Sequence, residues 1–111
     1  MTSAPLPRPE SGSHLLDPSE LEWEATDTDG FWIKPLLADA DGGTTSLMKI
    51  DAGAFAEMHS HDQLEEIVVL DGEFSDQNRT YTTGQYCVRA IDEPHTAGSV
   101  GGCTVLLVYR P

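Results

Sequence analysis

The chain has 111 residues and a mass of 12.1 kDa, enough for one hydrophobic core and too little for a second domain with its own. Six Lys and Arg against nineteen Asp and Glu leave a formal net charge of −13. This argues against nucleic acid as a partner, because phosphate backbones are bound by clustered positive charge, and equally against an anionic membrane.

No apolar run approaches the length of a membrane span, and no basic segment followed by an apolar core opens the chain. The expectation is a cytoplasmic protein whose acidity serves solubility or a salt-rich or acid-rich proteome.

In chain order, residues 1–15 are expected to form a flexible N-terminal tail. Pro5, Pro7, Pro9 and Ser11-Gly12-Ser13 leave too little apolar surface to offset the entropy of ordering, and His14 has no neighbouring His or Cys to make it a ligand. Residues 16–111 form the folded domain. From Leu21 onward the segments are short, rich in β-branched and aromatic residues, and separated by Gly, Asp and Asn. The predicted strands are Leu21–Ala25, Phe31–Ala38, Thr44–Ile50, Glu57–His61, Glu65–Leu70, Gly84–Ala90, Thr96–Val100 and Thr104–Arg110. Turns are predicted at Asp27–Gly30, Asp39–Gly43, Asp71-Gly72, Asp76-Gln77-Asn78 and Gly101-Gly102. No stretch holds a helical period, so the fold class is all-β, a sandwich or a barrel. Cys87 and Cys103 lie in apolar segments without CxxC spacing and read as small buried thiols.

Glu57-Met58-His59-Ser60-His61 reads as extended chain, in which side chains alternate and His59 and His61 project to one side. Two neutral imidazoles on one face form a metal clamp. Glu65 opens the next predicted strand and adds a carboxylate if a tight turn at Asp62-Gln63 sets the strands side by side, while Glu66 then points away. Borderline divalent metals accept this mixture of nitrogen and oxygen. With no Ser-His-Asp order, phosphate-binding loop or dinucleotide fingerprint, a metal is the visible source of reactivity.

The order Gly53, five residues, His59, one, His61, three, Glu65, six, Gly72 resembles the first signature motif of the cupin superfamily. Gly84 with Pro94 and His95 resembles the second, although the usual Pro-x-Gly step is absent and Thr96-Ala97-Gly98-Ser99 holds no Asn. The runs Glu65–Asp76, Tyr81–Gly84, Glu93–His95 and Gly102–Thr104 are similar to the ChrR-like branch of cupins, over roughly residues 30–110. That branch includes the metal-binding domain of ChrR-type anti-sigma factors and acetylacetone-cleaving dioxygenases.

The resemblance implies a single-domain double-stranded β-helix, or jelly-roll barrel, with one divalent metal ion held by His59, His61, Glu65 and His95. It also implies that Cys103 is packed rather than catalytic, and that the chain pairs as a homodimer to cover its sheet edges. Iron is the expected metal for an oxygenase, with Zn, Mn, Ni or Cu as alternatives. The expected function is a mononuclear non-haem metal-dependent oxygenase of dioxygenase type, acting on a small organic carbonyl compound, with no catalytic residues beyond the metal ligands. The alternatives are a cupin isomerase or decarboxylase, and a regulatory module that senses a metal or ligand. Against the latter, only about twenty mostly polar residues precede the first predicted strand. Ile67 and Val69 share a face with Glu65, which predicts an apolar cavity floor and an organic substrate. Trp32, Met48, Phe55 and Gln63 are the candidate rim residues.

Overall fold

A computed structural model of the chain describes residues 4–111; Met1, Thr2 and Ser3 of the expected tail lie outside the described residues. A single 3-10 turn at Pro18–Glu20 is capped by Asp17, whose carboxylate accepts the Ser19 N–H at 3.0 Å. All other regular structure is β: β1 (Glu24–Ala25), β2 (Phe31–Ala38), β3 (Thr44–Ile50), β4 (Phe55–His59), β5 (Leu64–Ser75), β6 (Thr80–Thr82), β7 (Tyr86–Arg89), β8 (His95–Gly98) and β9 (Cys103–Arg110).

The strands β2 and β3 keep their predicted limits and pair antiparallel along their whole length, from Phe31 opposite Ile50 to Ala38 opposite Thr44, with one irregularity between Pro35 and Leu37. β1 is shorter than predicted, since Leu21 closes the 3-10 turn. β4 begins and ends two residues early. It pairs with β8 through an irregularity between Ala56 and His59, which leaves Glu57 and Met58 exposed and His61 beyond the strand. β6 was not foreseen in the short polar stretch after Asn78.

The largest departure is at Asp71-Gly72, read as a turn but lying inside the 12-residue β5. The pairing with β9 shifts between Val69 and Asp71, and Gly72 takes a φ of +82°. A bulge therefore bends the strand instead of ending it. The first half of β5 lies between β7 and β9, and the second half passes to β6 and β8. One strand thus belongs to both layers, and the order β1-β2-β3-β9-β5-β8-β4 curls into a jelly-roll barrel.

Inward-facing positions fill the interior: Phe31, Ile50, Ile67, Val69, Phe74, Ala97, Cys103, Val105 and Leu107 form one cluster. Each large apolar side chain buried there contributes about 1.5–3 kcal/mol. Both cysteines are free thiols, Cys103 within this core. The N-terminal segment is docked at one point, where the Leu6 N–H donates to the Leu36 carbonyl and the Leu6 carbonyl accepts from Ala38. Arg8 adds an ion pair with Asp39.

The bulge supplies a stability test. A Cβ on Gly72 would stand 2.2 Å from the Gly102 carbonyl oxygen, whereas one on Gly84, with φ +89°, meets open space. Both replacements strain the left-handed backbone, by about 1–2 kcal/mol, but only the first also forces two strands apart. Urea denaturation should show Gly72→Ala losing at least about twice the stability lost by Gly84→Ala; equal losses would contradict this account of the bend.

Candidate metal centre

His59 ends β4 and His95 begins β8, and the two are direct cross-strand partners. His61 follows outside the strand, where its carbonyl accepts the Asp92 N–H at 2.8 Å. The ring centroids of His59 and His95 are 4.4 Å apart, those of His59 and His61 4.9 Å, and those of His61 and His95 5.2 Å. One ligating nitrogen from each lies within 4.8 Å of the other two. His95 is 2% exposed at the bottom of the group.

Tautomers are set by the backbone. The Nδ1 of His59 lies 2.6 Å from the Glu57 carbonyl oxygen, and the Nδ1 of His95 lies 3.0 Å from that of Glu93. A carbonyl oxygen only accepts, so each Nδ1 carries the hydrogen and each Nε2 is left with a free lone pair. Both imidazoles are therefore oriented by the carbonyl two residues earlier, an arrangement that suits a metal ligand. The donor set fits a divalent transition metal.

Glu65 stands beside the three rings, its Oε2 3.4 Å from His61 Nε2 and its Oε1 3.7 Å from His95 Nε2. It is 4% exposed, and a bare carboxylate there would be costly. Its cross-strand neighbours meet that cost. Arg89 on β7 donates from Nε to Oε1 at 3.1 Å, and Tyr109 on β9 donates its hydroxyl to Oε2 at 2.9 Å. Asp76 holds the far side of Arg89, accepting from Nη1 at 3.3 Å, and also accepts the Tyr81 hydroxyl at 3.0 Å. Glu66 points outward, as expected, and accepts from Tyr86 and Arg110.

These contacts displace several titrations. Burial pulls the pKa of His61 and His95 below the usual histidine value, although Glu65 works the other way. Burial opposes the Asp76 charge, but hydrogen bonds from Asn78, Arg79, Tyr81 and Arg89 outweigh it and hold the carboxyl low. Burial and then Glu65 drive the Tyr109 hydroxyl upward, so it keeps its proton at neutral pH.

The imidazoles open into a cavity of about 710 Å³. Ile67 lines it, as its parity with Glu65 predicts, and so do the rim candidates Met48 and Phe55. Three candidate residues lie elsewhere. Trp32 faces the opposite side of β2 from Phe31 and Ile33 and donates to Asp51. Gln63 reaches across to the Gly42 carbonyl. Val69 shares the inner face with Ile67 but sits deeper, sealed in the core. Sequence reading missed Tyr109, Arg89, Phe74 and the Thr26–Asp29 loop. For Tyr109 and Arg89 the available signal was parity with Cys103 and Cys87 on their own strands; the pairing that brings them to Glu65 is long-range.

Two outcomes follow. Arg89→Met strands two buried carboxylates and should cost about 3–5 kcal/mol in urea unfolding, with part recovered by adding Glu65→Gln; no recovery would mean the two residues act independently. In metal-free protein, His61 and His95 resist protonation while the unfolded chain, with the ordinary value of 6.5, does not. Stability should therefore fall as the pH drops from about 7 to 5.5, a trend that a flat denaturation midpoint over this range would refute.

The profile of the ChrR cupin-like domain matches residues 11–111. No curated protein matches at significant similarity. Among solved structures, an RmlC-like cupin from Shewanella frigidimarina superposes with a TM-score of 0.78 at 19% identity, over 90% of this chain and 92% of that one. A candidate acetylacetone dioxygenase from Methylibium petroleiphilum gives 0.80 at 14% identity, over 92% and 79%. The Rhodobacter sphaeroides complex of SigE with the anti-sigma ChrR gives 0.70 at 22%, over 83% of this chain and 51% of that one. These three solved structures share the fold at low identity, and the family profile covers all but the first ten residues: the chain belongs to the ChrR cupin-like domain family.

Proposed function

We propose that the chain is a mononuclear metal enzyme of the oxygenase type, acting on a small organic carbonyl compound. His59, His61 and His95 hold the ion, and Glu65 is its fourth ligand. The observation that carries this reading is the convergence of three imidazoles, two with their Nε2 lone pairs freed by backbone carbonyls, at the base of an apolar cavity. When bound, a divalent metal supplies Lewis acidity and, as iron, a means of reacting oxygen with an enolate-forming substrate.

The protein's own residues prepare the surroundings. Met48, Ile67, Phe74 and Leu107 keep the chamber apolar, which favours an organic ligand. Arg89 and Tyr109 each engage one oxygen of Glu65, so its carboxylate is held in one orientation and retains lone pairs for the ion. The Tyr109 hydroxyl stays protonated and acts as a donor at this site, not as a base.

A second reading, a regulatory module, is favoured by one observation: the matching family takes its description from ChrR. Metal analysis of purified protein, then oxygen uptake by iron-loaded protein with β-diketones and hydroxyaryl ketones, separates the two. The enzyme reading expects turnover, and His59→Ala should weaken metal binding by more than about 100-fold and abolish turnover. Full metal occupancy without turnover, together with recovery of a sigma factor in a pull-down, would transfer the assignment to the regulator.

A further inference from the structure

We infer that the cavity selects its ligand by charge at its mouth, admitting an uncharged or cationic apolar group there and rejecting an anionic one. This rests on the metal-centred reading for the inner end of the ligand and adds the chemistry of the outer end. The lining is apolar apart from the three histidines, Tyr109, a few threonine and carboxylate groups, and no Lys or Arg is part of it. Every lining residue with a fixed charge is acidic: Glu65 inside, and Asp27, Asp29 and Glu57. The last three are exposed, which puts them at the opening.

Five of the six Lys and Arg are engaged away from the lining, and the sixth, Arg79, does not line the cavity. Arg89 lies behind Glu65 and is shared with Asp76, Arg110 pairs with Glu66, and Arg8 with Asp39. Lys34 is bound to the Pro18 carbonyl, and Lys34 and Lys49 lie over the Trp23 ring. Asp27, Asp29 and Glu57 form no ion pair with a Lys or Arg among the described residues. An anionic group at the mouth would meet like charge with no neutralising partner, in a protein of net charge −13. A second observation points to a ligand at the inner end. His95 is 2% exposed, lines the cavity, and its Nε2 stands 3.7 Å from Glu65 Oε1 within the metal-binding set. The inner end of the ligand is set by the metal-centred reading, and the rim then discriminates among what the molecule carries at the other end.

The test uses benzoylacetone and its para-carboxylate and para-trimethylammonium derivatives, titrated by calorimetry into the full chain as purified and after adding Co(II). The expected order of affinity is trimethylammonium, then neutral, then carboxylate, with about tenfold between the extremes at low salt. The contrast should shrink to less than about threefold in Asp27→Asn/Asp29→Asn/Glu57→Gln and in about 0.5 M NaCl. Equal affinities, a preference for the carboxylate, or a contrast that survives the triple substitution would each overturn the inference, as would failure of all three probes to bind. Co(II) absorption reports separately on the histidine centre. Its absence would remove the metal reading, while the charge ranking is still read from the heats.

Discussion

A carboxylate 4% exposed on the inner face of a barrel has to be compensated, and the arrangement of Glu65 shows how much of the fold that need organises. Isolated charges in a low-dielectric interior are strongly disfavoured. Glu65 occupies the middle strand of three, and the residues directly across from it on either side are Arg89 and Tyr109. One row of the sheet therefore supplies both partners. The guanidinium is buried in turn and needs a second anion, which Asp76 provides immediately beyond the end of β5. The bulge at Gly72 matters here, because it carries the chain from the layer that holds Glu65 to the layer beside Asp76.

The histidines are organised by a different device. Glu65 is oriented by side chains from neighbouring strands, whereas His59 and His95 are oriented by their own local backbone through carbonyls two residues upstream. Their register pairing then brings the two rings together. His61 is instead held through its backbone by Asp92, with the Tyr109 hydroxyl 3.3 Å from its Nε2. Side chains from one strand pair, one loop and one ionic row thus converge on a region that no single segment defines.

The distribution of charge follows from scarcity. With only six Lys and Arg, placing Arg89 inside and pairing Arg8 and Arg110 with nearby acids leaves little positive charge for the cavity. The acidic excess falls on the surface and at the cavity mouth, where water screens it.

His95 entered only through the resemblance to the second cupin motif; the sequence by itself determined the all-β class, the limits of β2 and β3, and a shared side for His59 and His61. These are local matters: strand alternation, turn residues and motif spacing are written within a few residues of one another. The inward position of Ile67 was legible for the same reason. Only the tertiary structure decided that Asp71-Gly72 bends a strand instead of ending one, since a glycine of positive φ serves a turn or a bulge equally well and the strand opposite makes the choice. It also decided that Arg89 and Tyr109 face Glu65 across gaps of 24 and 44 residues, and that Trp32 and Gln63 turn away from the cavity. Register between strands distant in the chain is set by the packing of the whole barrel, which no short stretch of residues encodes.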